Sequence, residues 1–336
     1  MKLSKDRIQA SHWVVIAVIS LVIIFTQQAG AKEQKAAFPT KPITMIVLTS
    51  PGGGWDTICR LTAEYWRPYL PNKVAIVIKN IPGGEQLIGP TTLYNSVPDG
   101  YTVGTISSGA AGAIVAGVVR FDVKKFEWLG ILSDDYYIVS ASLKSGFKQL
   151  SDLQKSKREI LVGTPGFATT DALGALLSKE KMKLNLKMIP HDGSSGAALA
   201  AIRGDVDLVS SPVSSMKKFV VDGHDLVPLW TSAPERLKRL PNVPTLKELG
   251  YPEVGKMYVL HRLVAAPPGT PADRMAILRK TFRSMLDNPQ YQSKVRDTFD
   301  AEINMAQGPE VGRIVEELIT LLKPYETIVK AGWGKK

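Results

Sequence analysis

Three consecutive glycines stand between an apolar run and an amphipathic segment near the start of the chain. The run at residues 43–48 is typical of a buried strand, and residues 56–66 have the apolar spacing of a helix. Glycines at such a junction leave backbone N–H groups uncovered at the positive end of the helix, where an anion can bind. The same pattern also suits a simple tight turn, so the loop by itself leaves both interpretations open.

This loop does not carry the signature of a nucleotide site. A P-loop has Gly-Lys-Ser/Thr after its glycines, whereas Trp55 and Asp56 occupy those places here. The pattern G-x-G-x-x-G is also missing because no glycine stands at the third offset. A carboxylate therefore suits the loop better than a phosphate, since no cation is positioned for a dianionic group.

Two later segments have a similar composition. "GTPGFATTD" at residues 163–171 and "HDGSSGA" at residues 191–197 each join a predicted strand to a predicted helix. Their hydroxyl residues, Thr169 or Thr170 for example, could simply cap the helices. If two such loops face each other across a cleft, they could instead hold a small anion through backbone donors and hydroxyl groups.

A catalytic or metal-binding set of residues is missing from the sequence. No histidine lies in H-E-x-x-H, and no G-x-S-x-G motif occurs. The single cysteine, Cys59, excludes an intrachain disulfide and a cysteine-based zinc site, and it is expected to be buried. The acidic pairs Asp134-Asp135 and Asp205/Asp207 are expected either to be solvated or to cap the ends of secondary-structure elements. We therefore predict a protein that is not an enzyme and has no metal and no cofactor.

Chain length and net charge further restrict the class of protein. A chain of 336 residues with 44% hydrophobic residues is long enough for two globular domains. The net charge of +11 comes from scattered lysines and arginines without interleaved aromatic residues, so nucleic-acid binding is not expected.

The N-terminus has the organisation of a signal peptide. Lys2, Lys5 and Arg7 precede an apolar run at residues 13–25, and Ala29-Gly30-Ala31 fits the small-x-small cleavage pattern. The run is shorter than the about 20 residues of a membrane-spanning helix, although an uncleaved anchor is the alternative. We predict a signal peptide at residues 1–31 and a periplasmic protein.

The remainder of the chain alternates predicted strands and helices in two blocks. Such alternation is typical of α/β folds with open, mostly parallel sheets. An extended segment at residues 258–271 separates the second block from two C-terminal helices.

A set of motifs in a fixed order resembles the solute receptors of the tripartite tricarboxylate transporter family. The set covers nearly the whole mature chain and consists of "FPTKPITMIVLTSPGGGWDTICR", "NIPGGEQLIG", "PDGYTV", "GTPGFATTDALGALL", "HDGSSGAALAAIRGDVDL", "LPNVPTLKELGYP" and "LVAAPPGTP". The resemblance implies a two-lobed periplasmic binding protein-like fold of the second type, with crossing strands between the lobes. Lobe 1 would take residues 38–138 and 262–336, and lobe 2 residues 139–261.

The resemblance also implies a site between the lobes for a small organic carboxylate. Two loops would hold the solute, partly through backbone groups and ordered water. The matching positions are Gly52, Gly53, Gly54, Trp55 and Asp56 in the first loop, and Thr164, Gly166, Ala168, Thr169 and Asp171 in the second. Arg60 is expected to form a structural ion pair rather than to contact the solute.

The implied partners are the solute and the subunits of a membrane permease, with the receptor as a monomer. An alternative partner is the ectodomain of a sensor kinase, in which case the protein would signal rather than transport.

The chain departs from the family pattern at four places. Asp171 stands where the family often has histidine, and a carboxylate there disfavours a highly charged anion such as citrate. Trp55 replaces a small residue, Glu85 and Gln86 interrupt a glycine turn, and "MYVLHR" at residues 257–262 lacks the frequent Trp-x-Gly. These departures predict a monocarboxylate or another weakly acidic solute, for which an aromatic or amide part would suit Trp55.

Overall fold

A computed structural model describes residues 38–333, apart from residues 167, 168, 192, 221 and 300. The predicted signal peptide lies outside these described residues. Within them, no helix is both long enough and apolar enough to span a membrane.

The described residues form nine strands and twelve α-helices. The strands are β1 (Ile43–Val47), β2 (Ile76–Asn80), β3 (Thr102–Ser107), β4 (Glu127–Ser142), β5 (Ile160–Thr164), β6 (Leu186–Pro190), β7 (Leu208–Pro212), β8 (Leu226–Thr231) and β9 (Val259–Ala266). The first six helices are α1 (Gly54–Trp66), α2 (Ile88–Tyr94), α3 (Ala110–Ala116), α4 (Leu150–Lys155), α5 (Thr170–Lys181) and α6 (Gly193–Arg203). The remaining six are α7 (Val213–Val220), α8 (Pro252–Met257), α9 (Ala272–Leu286), α10 (Pro289–Phe299), α11 (Pro309–Leu322) and α12 (Glu326–Trp333).

Strand β4 runs through both halves of the sheet, and β9 pairs with its first half and with β3. The strand order is β2-β1-β3-β9-β4-β7-β5-β6, with β8 paired to β4. The first half of the 16-residue strand β4 pairs antiparallel with β9, and its second half pairs with β7 and β8. The molecule therefore has the predicted two-lobed α/β architecture, and β4 and β9 are the strands that cross between the lobes. The predicted lobe boundaries at residues 138/139 and 261/262 fall inside these two strands.

Local sequence accounts for the strand-to-helix units that border the cleft. The parallel pairs β1–β2, β1–β3, β5–β6 and β5–β7 align the carboxyl ends of their strands. Helix α1 buries Ile58, Cys59 and Trp66 against the core, and Trp66 Nε1 donates a hydrogen bond to Thr281 Oγ1 at 3.0 Å. Burial of this helix face fixes the direction in which the α1 N-terminus points.

Helix α9 begins without a hydroxyl cap. Threonine often caps a helix and proline often takes the first helical position, as the pair Thr270-Pro271 would allow. In the structure Pro271 occupies the cap position, and the Thr270 hydroxyl donates to the Pro267 carbonyl at 2.8 Å. The hydroxyl closes the preceding turn because Pro267 lies three residues earlier, within reach of a local bond.

Candidate functional site

A cleft of about 770 Å³ lies between the lobes, at the carboxyl ends of strands from both. Of the ten predicted site residues, seven line it: Gly52, Gly53, Gly54, Trp55, Gly166, Thr169 and Asp171. Asp56 and Thr164 are buried behind the lining, and Ala168 is outside the described residues. A second cavity of about 600 Å³ near Glu127 and Arg279, at the far end of β4, contains none of the predicted residues.

Asp56 holds the first loop in position from behind. Its carboxylate accepts hydrogen bonds from the Gly52 backbone N–H at 2.9 Å, from Arg60 Nε at 2.9 Å and from Asn80 Nδ2 at 3.0 Å. The bonds from Arg60 contribute most to holding the pKa of Asp56 at about 2, well below its usual range. Arg60 thus forms the expected ion pair. Because the carboxylate is occupied within the protein, we assign Asp56 to positioning the loop and not to contacting a solute.

The first loop presents uncovered backbone donors. Gly52 has φ of +84°, a conformation that glycine adopts without strain, and Gly53 precedes α1 without any side-chain cap. The first hydrogen bond of the helix runs from Thr57 N to Gly53 O at 2.9 Å. The N–H groups of the first turn therefore have no acceptor within the helix, and they lie at its positive end.

We predict that Asp56→Asn weakens this loop. The amide cannot accept charge-assisted bonds from Gly52, Arg60 and Asn80 together, and we expect the free energy of unfolding to fall by about 1–2 kcal/mol. The difference from wild type should shrink as pH falls toward 2, because Asp56 then becomes protonated in the native protein too. Urea titrations at pH 7 and at low pH measure this, with Glu64→Gln on the exposed side of α1 as control. A change at Asp56 no larger than in the control would contradict the assignment.

The second loop is closed by hydroxyl groups. Thr169 Oγ1 caps α5 by accepting from Ala172 N at 3.3 Å, and it also donates to the Gly166 carbonyl at 3.1 Å. Thr164 Oγ1 donates to the same carbonyl at 3.3 Å. Thr169 therefore caps a helix, which the sequence analysis gave as the alternative to solute binding. The same residue also lines the cleft.

Asp171 is a buried carboxyl group at the cleft. It is 4% exposed, and Tyr137 Oη donates to its Oδ2 at 3.4 Å. Burial is the main cause that raises the pKa of Asp171 to about 7, and it outweighs the nearby hydroxyls of Ser211, Tyr137 and Thr169. Among the residues described, none donates a well-formed hydrogen bond to Asp171 Oδ1.

Arg262 lines the cleft and was not singled out by the sequence. It lies on β9 with 1% exposure, and its Nη2 contacts Asp135 Oδ2 on β4 at 2.9 Å. Ser133 accepts from Nη1 at 3.1 Å, and the guanidinium lies 5.5 Å from the centre of the Trp55 ring. The solvated role expected for Asp135 is wrong, because this carboxyl is fully buried and also accepts a short hydrogen bond from Ser214. Only the pairing of β4 with β9 brings the two charges together.

A nearby Ser-His-Asp grouping is not a catalytic triad. His261 Nδ1 lies 2.6 Å from Asp134 Oδ1, but the Ser108 hydroxyl contacts backbone atoms of His261 and Val259 and not the imidazole ring. A nucleophilic serine needs its histidine base within hydrogen-bond reach, and the Ser108 hydroxyl has no such contact with the His261 ring. In the described part of the chain, no group of three or more His, Cys, Asp or Glu side chains is arranged to hold a metal ion.

The two lobes touch beside the cleft. A Cβ added to Gly109, at the start of α3, would lie only 2.6 Å from Thr170 N at the start of α5. Ser108 Oγ and Thr170 Oγ1 are 3.5 Å apart at the same place. The close approach requires glycine at position 109.

We predict that Gly109→Ala opposes lobe closure. Gly109 has φ of −58° and ψ of −22°, so alanine fits the backbone of lobe 1 but clashes with lobe 2. Solute affinity should fall at least tenfold because the closed population decreases. Calorimetry measures the affinity, and Gly196→Ala, in a helix where the added Cβ meets only ordinary contacts, is the control. Unchanged affinity in Gly109→Ala would refute the prediction.

Known proteins resemble this chain over most of its length. The family model of the tripartite tricarboxylate transporter family receptor matches residues 58–328. Protein BugT of Bordetella pertussis is 28% identical over 284 residues, which cover 81% of this chain and 85% of BugT. MatC of Rhodopseudomonas palustris, solved with bound malate, has a TM-score of 0.76 and 24% identity, with 87% of this chain and all of MatC covered.

A further structure from Rhodopseudomonas palustris, solved with adipate, has the same fold. Its TM-score is 0.75 at 22% identity, and the match covers 88% of this chain and 98% of that one. The family match and the shared architecture agree with the resemblance found in the sequence. This chain belongs to the tripartite tricarboxylate transporter receptor family, and it is a solute-binding receptor rather than an enzyme.

Proposed function

We propose that the protein captures a small carboxylate-bearing solute in the interlobe cleft and delivers it to a tripartite tricarboxylate-type permease. The observation that carries this proposal is the convergence of helix N-termini on one cleft. The first residues of α1, α5, α6 and α7 line it or lie directly beside its lining. Each terminus presents partial positive charge and N–H donors, which together suit an organic anion.

The loop geometry supports backbone recognition of the carboxylate. The uncapped α1 N-terminus lies close to Arg262 and Ser215, because a Cβ on Gly54 would be 3.8 Å from a side-chain atom of each. We propose that Gly52, Gly53, Gly54 and Trp55 hold the carboxylate and that Gly166, Thr169 and Asp171 contact the solute from lobe 2. Malate and adipate in the two related structures are small carboxylates of the proposed kind.

The predicted signal peptide and the family together support a periplasmic location, which we propose for the mature protein. Closure of the lobes over the solute would then create the surface that a permease recognises.

A thermal-shift screen followed by calorimetry tests this function. We expect at least one small carboxylate to raise the melting temperature of the purified mature protein, because a ligand that binds only the folded form stabilises it. Citrate should bind weakly or not at all, since Asp171 and Glu85 add negative charge to the cleft. A panel in which no carboxylate binds would refute the proposal, and tight citrate binding would refute the inference about charge.

Uptake measurements test delivery. Deleting the gene should abolish uptake of the identified solute by intact cells, and wild-type protein should restore it. Uptake that persists while solute-dependent gene expression is lost would support the sensor-kinase alternative.

A further inference from the structure

Two carboxyl groups line the cleft without a cationic partner in the described portion of the chain, namely Glu85 and Asp171. Asp171 Oδ1 and Glu85 Oε2 are both buried and accept no hydrogen bond from the residues described. Buried acceptors of this kind are costly unless a ligand or a water satisfies them. Their place in the cleft points to the solute as the missing partner.

The two groups come from opposite lobes and approach the same loop. Glu85 lies in the turn between β2 and α2, in the left-handed region with φ of +57°, a conformation that only surrounding contacts can hold in a residue other than glycine. A Cβ added to Gly166 would lie 4.0 Å from Glu85 Cγ and 3.6 Å from Thr169 Cγ2. Glu85 therefore reaches across to the loop that leads into the first turn of α5, where Asp171 stands.

The cationic groups of the cleft do not balance these carboxyls. Arg262 is paired with Asp135, so that pair is neutral overall. His191 directs its Nδ1 toward the Ile189 carbonyl at 2.9 Å. The raised pKa of Asp171 reflects the absence of a compensating charge, since burial is its largest cause.

We propose that the solute carries a protonated amino group in addition to its carboxylate, and that Asp171 and Glu85 bind this amino group. The carboxylate then lies at the α1 N-terminus, so the cleft recognises a solute with separated charges of both signs. This inference rests on the function proposed above and narrows the substrate class to amino carboxylates.

Matched pairs of solutes test the inference by calorimetry on ligand-free protein. Each pair differs only in the amino group: aspartate and succinate, glutamate and glutarate, phenylalanine and 3-phenylpropionate, 4-aminobutyrate and butyrate. We expect at least one amino carboxylate to bind at least tenfold more tightly than its deaminated partner. Asp171→Asn and Glu85→Gln should each reduce that preference at least fivefold, whereas Glu159→Gln, which changes an exposed carboxylate outside the cleft, should leave it intact.

The outcomes separate this inference from the proposed function. If deaminated partners bind as tightly as amino carboxylates or more tightly, the inference is wrong while the carboxylate receptor stands. If no member of any pair binds, both fail. A preference for the amino member that survives in both variants would also overturn the assigned residues.

The pH dependence gives an independent readout. Affinity for the amino carboxylate should be greater at pH 8 than at pH 6, because Asp171 must be ionised while an alkylamine with a pKa of about 10 stays protonated. The titratable groups that face Asp171 are Tyr137 and Tyr258, both with a pKa raised by burial, and Glu85, His191 and Arg262 line the same cleft. Affinity that increases as pH falls would show Asp171 acting as a neutral donor and would overturn the proposal. The same pH dependence in Asp171→Asn would overturn it too.

Discussion

Replacing Arg262 with methionine is expected to lower the free energy of unfolding by about 3–5 kcal/mol, because it leaves the Asp135 carboxyl buried without its cation. Asp135 is fully buried, and burial already raises its pKa although Arg262 opposes this effect. Without the guanidinium the pKa of Asp135 should rise further, so the carboxyl would be protonated in the folded state. Urea unfolding at pH 7 measures the loss.

A double variant separates the charge effect from the loss of packing. Arg262 also contacts the Trp55 and Phe299 rings, with distances of 5.5 and 5.8 Å to their centres. Arg262→Met combined with Asp135→Asn removes both charges and retains most of the volume. It should recover a large part of the stability, since replacing a buried pair with neutral groups is often tolerated. A double variant as unstable as the sum of the two single variants would show that the pair is not coupled.

The ligand-free protein should lose stability as pH rises from about 4 to about 7, and Asp171 should be the cause. The pKa of Asp171 is raised to about 7 in the folded protein, whereas an aspartate in the unfolded chain titrates near 3.8. The folded state therefore binds more protons between these values, so the contribution of Asp171 is fully present below pH 4 and is lost as pH rises through 7. A shift of three pKa units corresponds to about 4 kcal/mol of folding free energy. Relaxation of the folded protein and hydration of the carboxylate reduce this penalty, so we expect a loss of about 3 kcal/mol.

Comparison with Asp171→Asn isolates this contribution. The asparagine side chain does not titrate, so the stability difference between wild type and variant should change by about 3 kcal/mol from pH 4 to pH 8. Denaturant titrations across this range give the difference in free energy of unfolding at each pH. The contributions of all other titratable groups cancel to first order in this difference. A constant difference would show that Asp171 is not the perturbed group. A bound amino carboxylate should abolish the loss at high pH, because its protonated amino group pairs with the ionised Asp171.

Local sequence predicted the units of the site well because each is a short-range structure. The strand, the glycines and the helix at residues 43–66 are neighbours in the chain, and their turn chemistry and apolar spacing are local properties. The same holds for the helices predicted after the extended segment, where α9 and α11 lie. The family resemblance added the arrangement of these units in two lobes, which the fold confirms.

The role of Asp56 could not be predicted from local sequence. The sequence placed it in the solute loop, but Asn80, at the end of the neighbouring strand, is hydrogen-bonded to its carboxylate. That contact depends on the parallel pairing of β1 with β2. The departures from the family pattern at Glu85, Asp171 and residues 257–262 were visible in the sequence. The sequence did not show that all three lie at the same cleft.

The sequence by itself determined the class of the fold and the strand-to-helix loops, since these follow from spacing and composition within short segments, and its resemblance to the receptor family singled out the acidic residue Asp171. The tertiary structure alone decided that Arg262 is paired with Asp135, that Glu85 reaches the opposite lobe, and that Gly109 must remain a glycine. Each of these contacts joins residues far apart in the chain. They depend on how β4 pairs with β9 and on how the two lobes meet, and no local propensity specifies either.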